Sequence, residues 1–241
     1  MRLKRHSSLS VVAIALMFSG CASFEPGLRF QDLMRARQPT VKEARDGLEV
    51  AIEEFATTNK SLMAFDGDIA PYGVLALLIR VENKGAGNYN VQKNDIKAFL
   101  RGHRLPLLSG VEAANQAATS EYAGKALAWT VATGPFFILL WPATIAGSAS
   151  HTQSVNRRIQ QHFESVELTD SLLRPNQMAV GFLYFKLPDN VKSLENLTLE
   201  IEPVAEQTSQ RLSYKLSLPT LNLSGPVSTP LASTTEPKQG D

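Results

Sequence analysis

The chain has 241 residues, of which 44% are hydrophobic and 20% charged, a composition that suits one globular domain with appendages. Its formal net charge is +1; without Arg2, Lys4 and Arg5, which lie in an expected export signal, it has 21 basic and 23 acidic residues and a net charge of −2. This balance provides no electrostatic basis for binding nucleic acid, so we predict no nucleic-acid partner.

Residues 1–20 have the pattern of an export signal. A basic start is followed by an apolar segment from Leu9 to Phe18 and then by small residues. The apolar segment is too short to span a bilayer as a mature helix. We therefore predict that residues 1–20 are a signal peptide.

Cys21 follows this segment directly and is the single cysteine of the chain. Phe18-Ser19-Gly20-Cys21 resembles the bacterial lipobox, in which the cysteine is acylated and becomes the new N-terminus. A lone cysteine cannot form an internal disulfide, so lipidation explains Cys21 better than a redox or metal role, or an incidental cysteine after an ordinary signal. By resemblance to sorted lipoproteins of Gram-negative bacteria, Ala22 implies anchoring in the outer membrane, facing the periplasm. Two or three acyl chains give stable attachment to membrane lipid.

A polar segment separates Cys21 from the first β-patterned region. Residues 21–46 are interpreted as a tether, and residues 47–110 as the first half of a β-sandwich. Leu48, Val50 and Ile52 alternate with polar residues or alanine, which indicates a half-buried strand.

The strongest strand pattern lies at Tyr72–Val81, where nearly every residue is apolar. Such a run is typical of a central strand covered on both faces. Thr57–Pro71 before it is predicted to be a loop, and Tyr89–Leu108 after it to hold one or two strands. Within the loop, Asp66-Gly67-Asp68 is interpreted as a turn, because a calcium loop would need further oxygen ligands and a closing glutamate.

Residues 111–163 are predicted to form a helical hairpin inserted between two β-patterned halves. The stretch from Lys125 to Arg157 encloses 31 residues without a formal charge, and Ala126–Ala149 is its apolar part. A single transmembrane span is the first alternative. Gly134-Pro135 would break that helix in its middle, and a span would place the two halves of one sheet system on opposite sides of a membrane.

Both arms of the hairpin have further signals. Ser109 and Glu112 have the spacing of a capping box, which predicts a helix start. Small residues recur at intervals of four on both arms, as in closely packed helix pairs. The tip is predicted to contact membrane or a partner, because tryptophan favours the bilayer interface; packing on its own domain and self-association are the alternatives. The predicted contact residues are Trp129, Phe136, Phe137, Ile138, Leu139, Leu140 and Trp141.

Residues 164–220 are predicted to be the second half of the sandwich. Val166–Leu168 is expected to begin a strand, and Leu172–Pro188 is read as another. In the latter, Val180, Phe182 and Tyr184 would face one side, with Gly181, Leu183 and Phe185 on the other. Residues 221–241 are rich in Ser, Thr and Pro, and we expect them to be disordered.

A resemblance follows from three motifs in this order: Val81-Glu82-Asn83-Lys84, Leu173-x-Pro175, and Gly181-Phe182-Leu183-Tyr184-Phe185-x-x-Pro188. They resemble immunoglobulin-like β-sandwich domains of exported bacterial proteins. With Cys21 and the inserted hairpin, the whole chain is similar to a group of bacterial lipoproteins. The resemblance implies a mainly β fold, an immunoglobulin-like sandwich interrupted by an α-helical hairpin, and carries no known activity.

No catalytic pattern accompanies these features. His151 and His162 lie about 16 Å apart on a helix and cannot bind one metal. Glu53 and Glu54 are expected to solvate a strand edge. We therefore predict no enzyme activity, metal or cofactor, and a lipid-anchored envelope protein that acts as a scaffold or interaction module. The alternative is a periplasm-facing binding module for a protein or a small apolar ligand, with the hairpin as a lid.

Overall fold

The computed structural model describes residues 26–27, 39–117 and 156–223. These residues form a mainly β structure of antiparallel sheets with a few helices. The strands are β1 (Val41–Arg45), β2 (Leu48–Glu54), β3 (Val74–Asn83), β4 (Tyr89–Val91), β5 (Ile96–Leu100), β6 (His103–Arg104), β7 (Leu107–Leu108), β8 (Ser171–Leu173), β9 (Met178–Lys186), β10 (Leu197–Ile201), β11 (Val204–Ala205) and β12 (Tyr214–Ser217).

Helical structure is confined to short segments in this part of the chain. Helix α1 covers Thr58–Phe65, and 3-10 turns lie at Ala70–Tyr72 and Lys93–Asp95. Residues 110–117 and 156–165 are also helical. We call them the first stem and the second stem, because they are the described ends of the inserted segment.

The strands form three sheets. A five-stranded sheet has the order β1-β2-β3-β9-β7, a four-stranded sheet the order β12-β10-β5-β6, and a three-stranded sheet the order β11-β4-β8. The longest pairing joins β3 and β9, from Val74 opposite Lys186 to Glu82 opposite Met178. This pairing places the two most apolar strands at the centre of the five-stranded sheet.

A hydrophobic cluster between the five-stranded and four-stranded sheets forms the sandwich core. Along β3, Leu75, Leu77, Ile79 and Val81 point into it. From the four-stranded sheet it receives Ile96, Ala98, Leu100, Leu197, Leu199, Ile201, Tyr214 and Leu216. Strand β10 alternates buried and partly exposed residues, so the outer face of its sheet meets water.

A second cluster lies on the opposite face of the five-stranded sheet, under α1 and the two stems. We call it the helical-face cluster. Its members are Phe55, Ala64, Phe65, Ile69, Val74, Ala76, Leu78, Ala113, Ala114, Ala117, Ile159, Phe163, Val166, Val180, Phe182 and Tyr184. The five-stranded sheet is thus covered on both faces.

Two strand predictions are confirmed. Strand β3 is central and buried on both faces, as the apolar run at Tyr72–Val81 predicted. Strand β9 has the predicted alternation: Val180, Phe182 and Tyr184 belong to the helical-face cluster, and Leu183 and Phe185 to the sandwich core.

Two interpretations of local structure are wrong. The predicted loop Thr57–Pro71 contains α1. The helix has only a short apolar face, and burial of that face against the sheet stabilises it. The helix propensity of these residues alone therefore gives little indication that a helix forms. Leu172–Pro188 is not one strand, because Pro175 lies in a turn between β8 and β9, where it has no ladder hydrogen bond to donate.

Several boundaries also differ from the predicted ones. Strand β1 lies within the segment interpreted as a tether, so the sheet begins at Val41. Tyr89–Leu108 holds four short strands, β4 to β7. Val166–Leu168 contributes only an isolated parallel bridge, between Glu167 and Phe182. At the other end, Leu223 N donates to Lys192 O at 2.8 Å, so ordered pairing continues beyond residue 220.

Candidate functional site

The first stem begins where the sequence predicted a helix start. Ser109 Oγ accepts a hydrogen bond from Glu112 N at 3.2 Å, and Glu112 Oε2 accepts one from Ser109 N at 2.8 Å. These reciprocal bonds are a capping box, so this prediction is confirmed. They also lower the pKa of Glu112, because the backbone and hydroxyl of Ser109 donate to its charged form.

The two stems lie side by side and run in opposite directions. Near their bases, a Cβ on Gly110 would lie 2.9 Å from backbone atoms of Phe163 and Glu164, so only glycine permits this approach. Further along, Gln160 Nε2 donates to Asn115 Oδ1 at 2.6 Å. The two stems are therefore antiparallel, which is the arrangement expected at the base of a hairpin.

Aromatic side chains hold the second stem on the five-stranded sheet. The ring of Phe163 lies 4.8 Å from Phe65 and 5.3 Å from Tyr184, measured between centroids. The Tyr184 hydroxyl donates to Phe163 O at 3.1 Å. Burial, and secondly the charge of Glu167, raise the pKa of Tyr184 well above its usual value. The hydroxyl thus remains a neutral donor that ties the stem to β9.

His162 joins the second stem to α1. Its Nε2 lies 2.8 Å from Ala64 O, and only a protonated ring nitrogen can donate to that carbonyl. Burial lowers the pKa of His162, which favours the neutral ring at pH 7.

Glu167 connects the bases of both stems to the sandwich. Its Oε2 accepts a hydrogen bond from Gly110 N at 2.8 Å, and its Oε1 forms an ion pair with Lys93 Nζ at 2.8 Å. The sequence contained no signal for this contact, since Lys93 and Glu167 lie in different halves of the chain and neither belongs to a motif.

The stems leave the five-stranded sheet at the end where β3 begins and β9 ends. Gln116 Nε2, near the end of the first stem, donates to Tyr72 O at 2.9 Å and to Gly73 O at 3.2 Å. These two residues come directly before β3, whose first pair is Val74 with Lys186. We call this the exit end of the domain; the end near the pair of Glu82 with Met178 is the far end.

The chain also enters the sheet at the exit end. Val41, the first residue of β1, pairs with Ile52, two residues before the end of β2. The end of β2 in turn lies beside Leu77, close to the start of β3. In addition, a Cβ on Gly27 would lie 3.5 Å from Met63 O, so residues 26–27 pass along α1. The N-terminal segment and the stems therefore meet the domain at the same end and in the same layer.

Glu53 and Glu54 do not solvate a strand edge, so that prediction is wrong. Their exposed fractions are only 6% and 5%. Helix α1 folds over the end of β2 and excludes water from both carboxylates. Its Lys60 Nζ lies 2.9 Å from Glu54 Oε1 and 3.4 Å from Glu53 Oε1, which supplies the counter-charge. Glu54 Oε2 also accepts from Ala56 N at 3.1 Å.

Asp66-Gly67-Asp68 is a turn, as predicted. Asp66 ends α1 in the left-handed conformation, and its N–H donates to Leu62 O. Asp68 Oδ2 accepts from Thr58 Oγ1 at 2.6 Å, while burial raises the pKa of Asp68. Across residues 39–117 and 156–223, no group of His, Cys, Asp or Glu side chains is placed to hold a metal ion.

The predicted lipidation site Cys21 lies outside the described residues, and so does the predicted hairpin tip. The tip residues concerned are Trp129, Phe136, Phe137, Ile138, Leu139, Leu140 and Trp141. Among the helices that are described, none is both long enough and apolar enough to cross a membrane. The structure therefore defines the base from which the predicted contact segment departs.

Comparisons with known proteins add one distant likeness. No protein-family model matches the sequence, and no curated protein matches it either. A solved structure described as "a putative lipoprotein (ycdA)" from Bacillus subtilis is similar with a TM-score of 0.34 and 11% identity. The likeness covers 75% of this chain but 39% of the other, so this chain spans well under half of that protein's length. At this TM-score the likeness carries no argument about function.

Proposed function

We propose that the protein is a lipid-anchored bacterial envelope protein without catalytic activity. Residues 1–20 are the signal peptide, and acylated Cys21 anchors the mature chain in the outer membrane, facing the periplasm. An immunoglobulin-like sandwich is the scaffold, and the inserted segment contacts the membrane or a membrane partner through Trp129 and residues 136–141.

The observation that carries this proposal is the common exit end. The N-terminal segment enters β1 beside Ile52, and the stems leave beside Gly73. The anchor at Cys21 and the insert would thus both lie at the end of the domain that faces the bilayer, so the domain need not rotate for the insert to reach the lipid. Because residues 26–27 already lie along α1, residues 22–25 leave only about 14 Å of extended chain between Cys21 and the domain, which would keep this part of the domain close to the bilayer.

A second arrangement has its own support. Ala113, Ala114 and Ala117 of the first stem are buried in the helical-face cluster. An insert that continued along the same surface would pack on its own domain as a lid, and the protein would then be a periplasmic binding module for a protein or a small apolar ligand. The two arrangements differ in whether residues 136–141 meet lipid or protein.

Lipidation is tested with a palmitate analogue in a Gram-negative host. The label should mark the wild-type chain and be lost in Cys21→Ser, and the mature protein should begin at residue 21. Separation of the two membranes should place the labelled protein in the outer one. A mature N-terminus at another residue would contradict acylation, whereas recovery in the inner membrane would contradict only the sorting.

Membrane contact is tested by flotation of the unacylated Cys21→Ser protein with liposomes. Leu139→Asp should abolish flotation and leave folding intact, because a carboxylate within the apolar layer costs about 2.5 to 3.5 kcal/mol. Leu172→Asp is the matched control, since Leu172 is an apolar side chain on β8 that is already 44% exposed. Loss of folding in Leu139→Asp, with no flotation of the parent protein, would favour the lid arrangement instead.

A further inference from the structure

Four basic side chains lie near the exit end. Arg157 and Arg158 precede Gln160 on the second stem, on the side away from its base. Lys186 is the last residue of β9 and pairs with Val74. Arg104 lies two residues before Pro106, and the Pro106 carbonyl accepts a hydrogen bond from Lys186 N at 2.9 Å. All four side chains are exposed.

These cations differ from those at the far end in their partners. None of the four forms an ion pair with a residue that the structure describes. Towards the far end, by contrast, Lys84 lies 3.0 Å from Glu49, and Arg211 lies 3.5 Å from Asp95. These two far-end cations are thus neutralised by neighbours, whereas the four exit-end cations are available to an external anion.

Carboxylates near the exit end do not cancel this charge. Asp189 is exposed, three residues after Lys186. Asp66 and Asp68 are partly buried at the end of α1, where Asp68 accepts a hydrogen bond from Thr58. Glu53 and Glu54 are buried and share Lys60. Glu164, on the second stem towards its base, is also exposed, and the exposed Glu195 is paired with Arg101. The four exposed cations therefore face two exposed carboxylates that have no cation of their own among the described residues, Asp189 and Glu164, and a positive excess remains.

The sequence places this charge where an inserted segment would meet headgroups. The nearest charges on either side of the uncharged stretch are both cations, Lys125 and Arg157. Basic side chains at the border of an apolar segment bind lipid phosphates, and a guanidinium can donate two parallel hydrogen bonds to one phosphate.

We infer that the exit end recognises anionic lipid headgroups, with Arg157, Arg158, Lys186 and Arg104 as the contacting residues. This inference rests on the proposed function, since it names the class of lipid that the same end would bind. Each basic residue near an anionic surface contributes about fivefold to membrane affinity.

The experiment uses the Cys21→Ser protein and two kinds of vesicle: phosphatidylcholine alone, and phosphatidylcholine mixed with phosphatidylglycerol. Binding to the mixed vesicles should be tighter and should weaken as salt is added. Arg157→Gln/Arg158→Gln should lower affinity for the mixed vesicles about 25-fold, with little change on the neutral ones. Lys186→Gln should lower it about fivefold.

Arg174→Gln/Arg211→Gln is the matched control, because it removes the same charge from exposed far-end positions and should leave binding unchanged. All variants should retain the parental melting temperature. Equal affinity for the two vesicles, or an equal loss in the control pair, would overturn the inference but leave the proposed membrane contact intact. Absence of binding to both vesicles would overturn both.

Discussion

The two hydrophobic clusters on either side of the five-stranded sheet are built in different ways. The sandwich core is largely aliphatic and draws most of its residues from strands that alternate every second position. The helical-face cluster is rich in aromatic residues and collects short pieces from separate parts of the chain, including both stems of the insert. The first cluster depends on regular strand patterns, whereas the second depends on tertiary contacts that bring distant segments together.

The base of the insert is part of the helical-face cluster. Phe163 and Val166 are buried in the helical-face cluster, so the stems are part of the fold. The predicted contact segment therefore departs from a base that packing, His162 and Glu167 hold in place. Variants that affect one cluster and spare the other are the way to test this division.

The largest effect is expected for Phe182→Ala, compared with its neighbour Leu183→Ala. The Phe182 ring lies 4.9 Å from Phe55 and 5.0 Å from Phe65, and its loss should cost about 3 to 5 kcal/mol. Leu183→Ala removes a side chain from the sandwich core and should cost about 2 to 5 kcal/mol. Urea denaturation measures both losses.

Hydrogen exchange then separates these two variants. Amides of residues 159–166 should lose protection in Phe182→Ala before those of β10 do, and the order should be reversed in Leu183→Ala. Identical exchange patterns in the two variants would show that the two clusters unfold as one unit, which would contradict the division between them.

The next effect concerns the buried charges that α1 covers. Lys60→Met leaves Glu53 and Glu54 buried without their cation, and should destabilise the protein by about 2 kcal/mol in urea. Lys215→Met is the control on the outer face of the four-stranded sheet, where the side chain is 66% exposed and pairs with Glu200 at 3.1 Å. That variant should change stability by less than about 0.5 kcal/mol. Equal losses of stability in the two variants would mean that burial beneath α1 does not increase the contribution of the Lys60 ion pairs to the free energy of unfolding.

Two buried hydroxyl groups give a finer comparison. Tyr184→Phe removes the bond to Phe163 O, and Tyr214→Phe removes the bonds to Arg45 O and Leu48 O. Each should cost about 1 kcal/mol. Only the first should reduce exchange protection of the second stem, while the second should affect β1. Burial raises the pKa of Tyr214 to about 12, so both phenols remain donors across the neutral range.

The smallest effect is a pH dependence at the contact between the second stem and α1. The pKa of His162 is lowered from 6.5 by burial, so its contribution to stability is fully present above about pH 6.5 and is lost as the pH falls through the lowered value. The wild type should therefore lose more stability between pH 7 and pH 5 than His162→Gln. His103→Gln, at an exposed position on β6, should follow the wild type. Parallel pH profiles for all three would refute a neutral His162 in the fold.

The sequence by itself determined the features that depend on local pattern. The apolar run of β3, the alternation of β9 and the capping box at Ser109 were all predicted correctly. Each of them follows from residue spacing, because strands present alternate residues to alternate faces and a helix start needs acceptors for its unpaired amides. These patterns also located the base of the insert before any contact was known.

Tertiary structure alone decided the burial of Glu53 and Glu54, the helix within Thr57–Pro71, and the meeting of the N-terminal segment with the stems at one end of the domain. Burial of the two carboxylates requires α1 to fold over β2, which nothing in their immediate neighbours encodes. The common exit end depends on the register of three strand pairs, and register results from long-range pairing and turn geometry. Contacts between distant segments are selected by the free energy of the whole packed domain, so no local stretch of sequence specifies them.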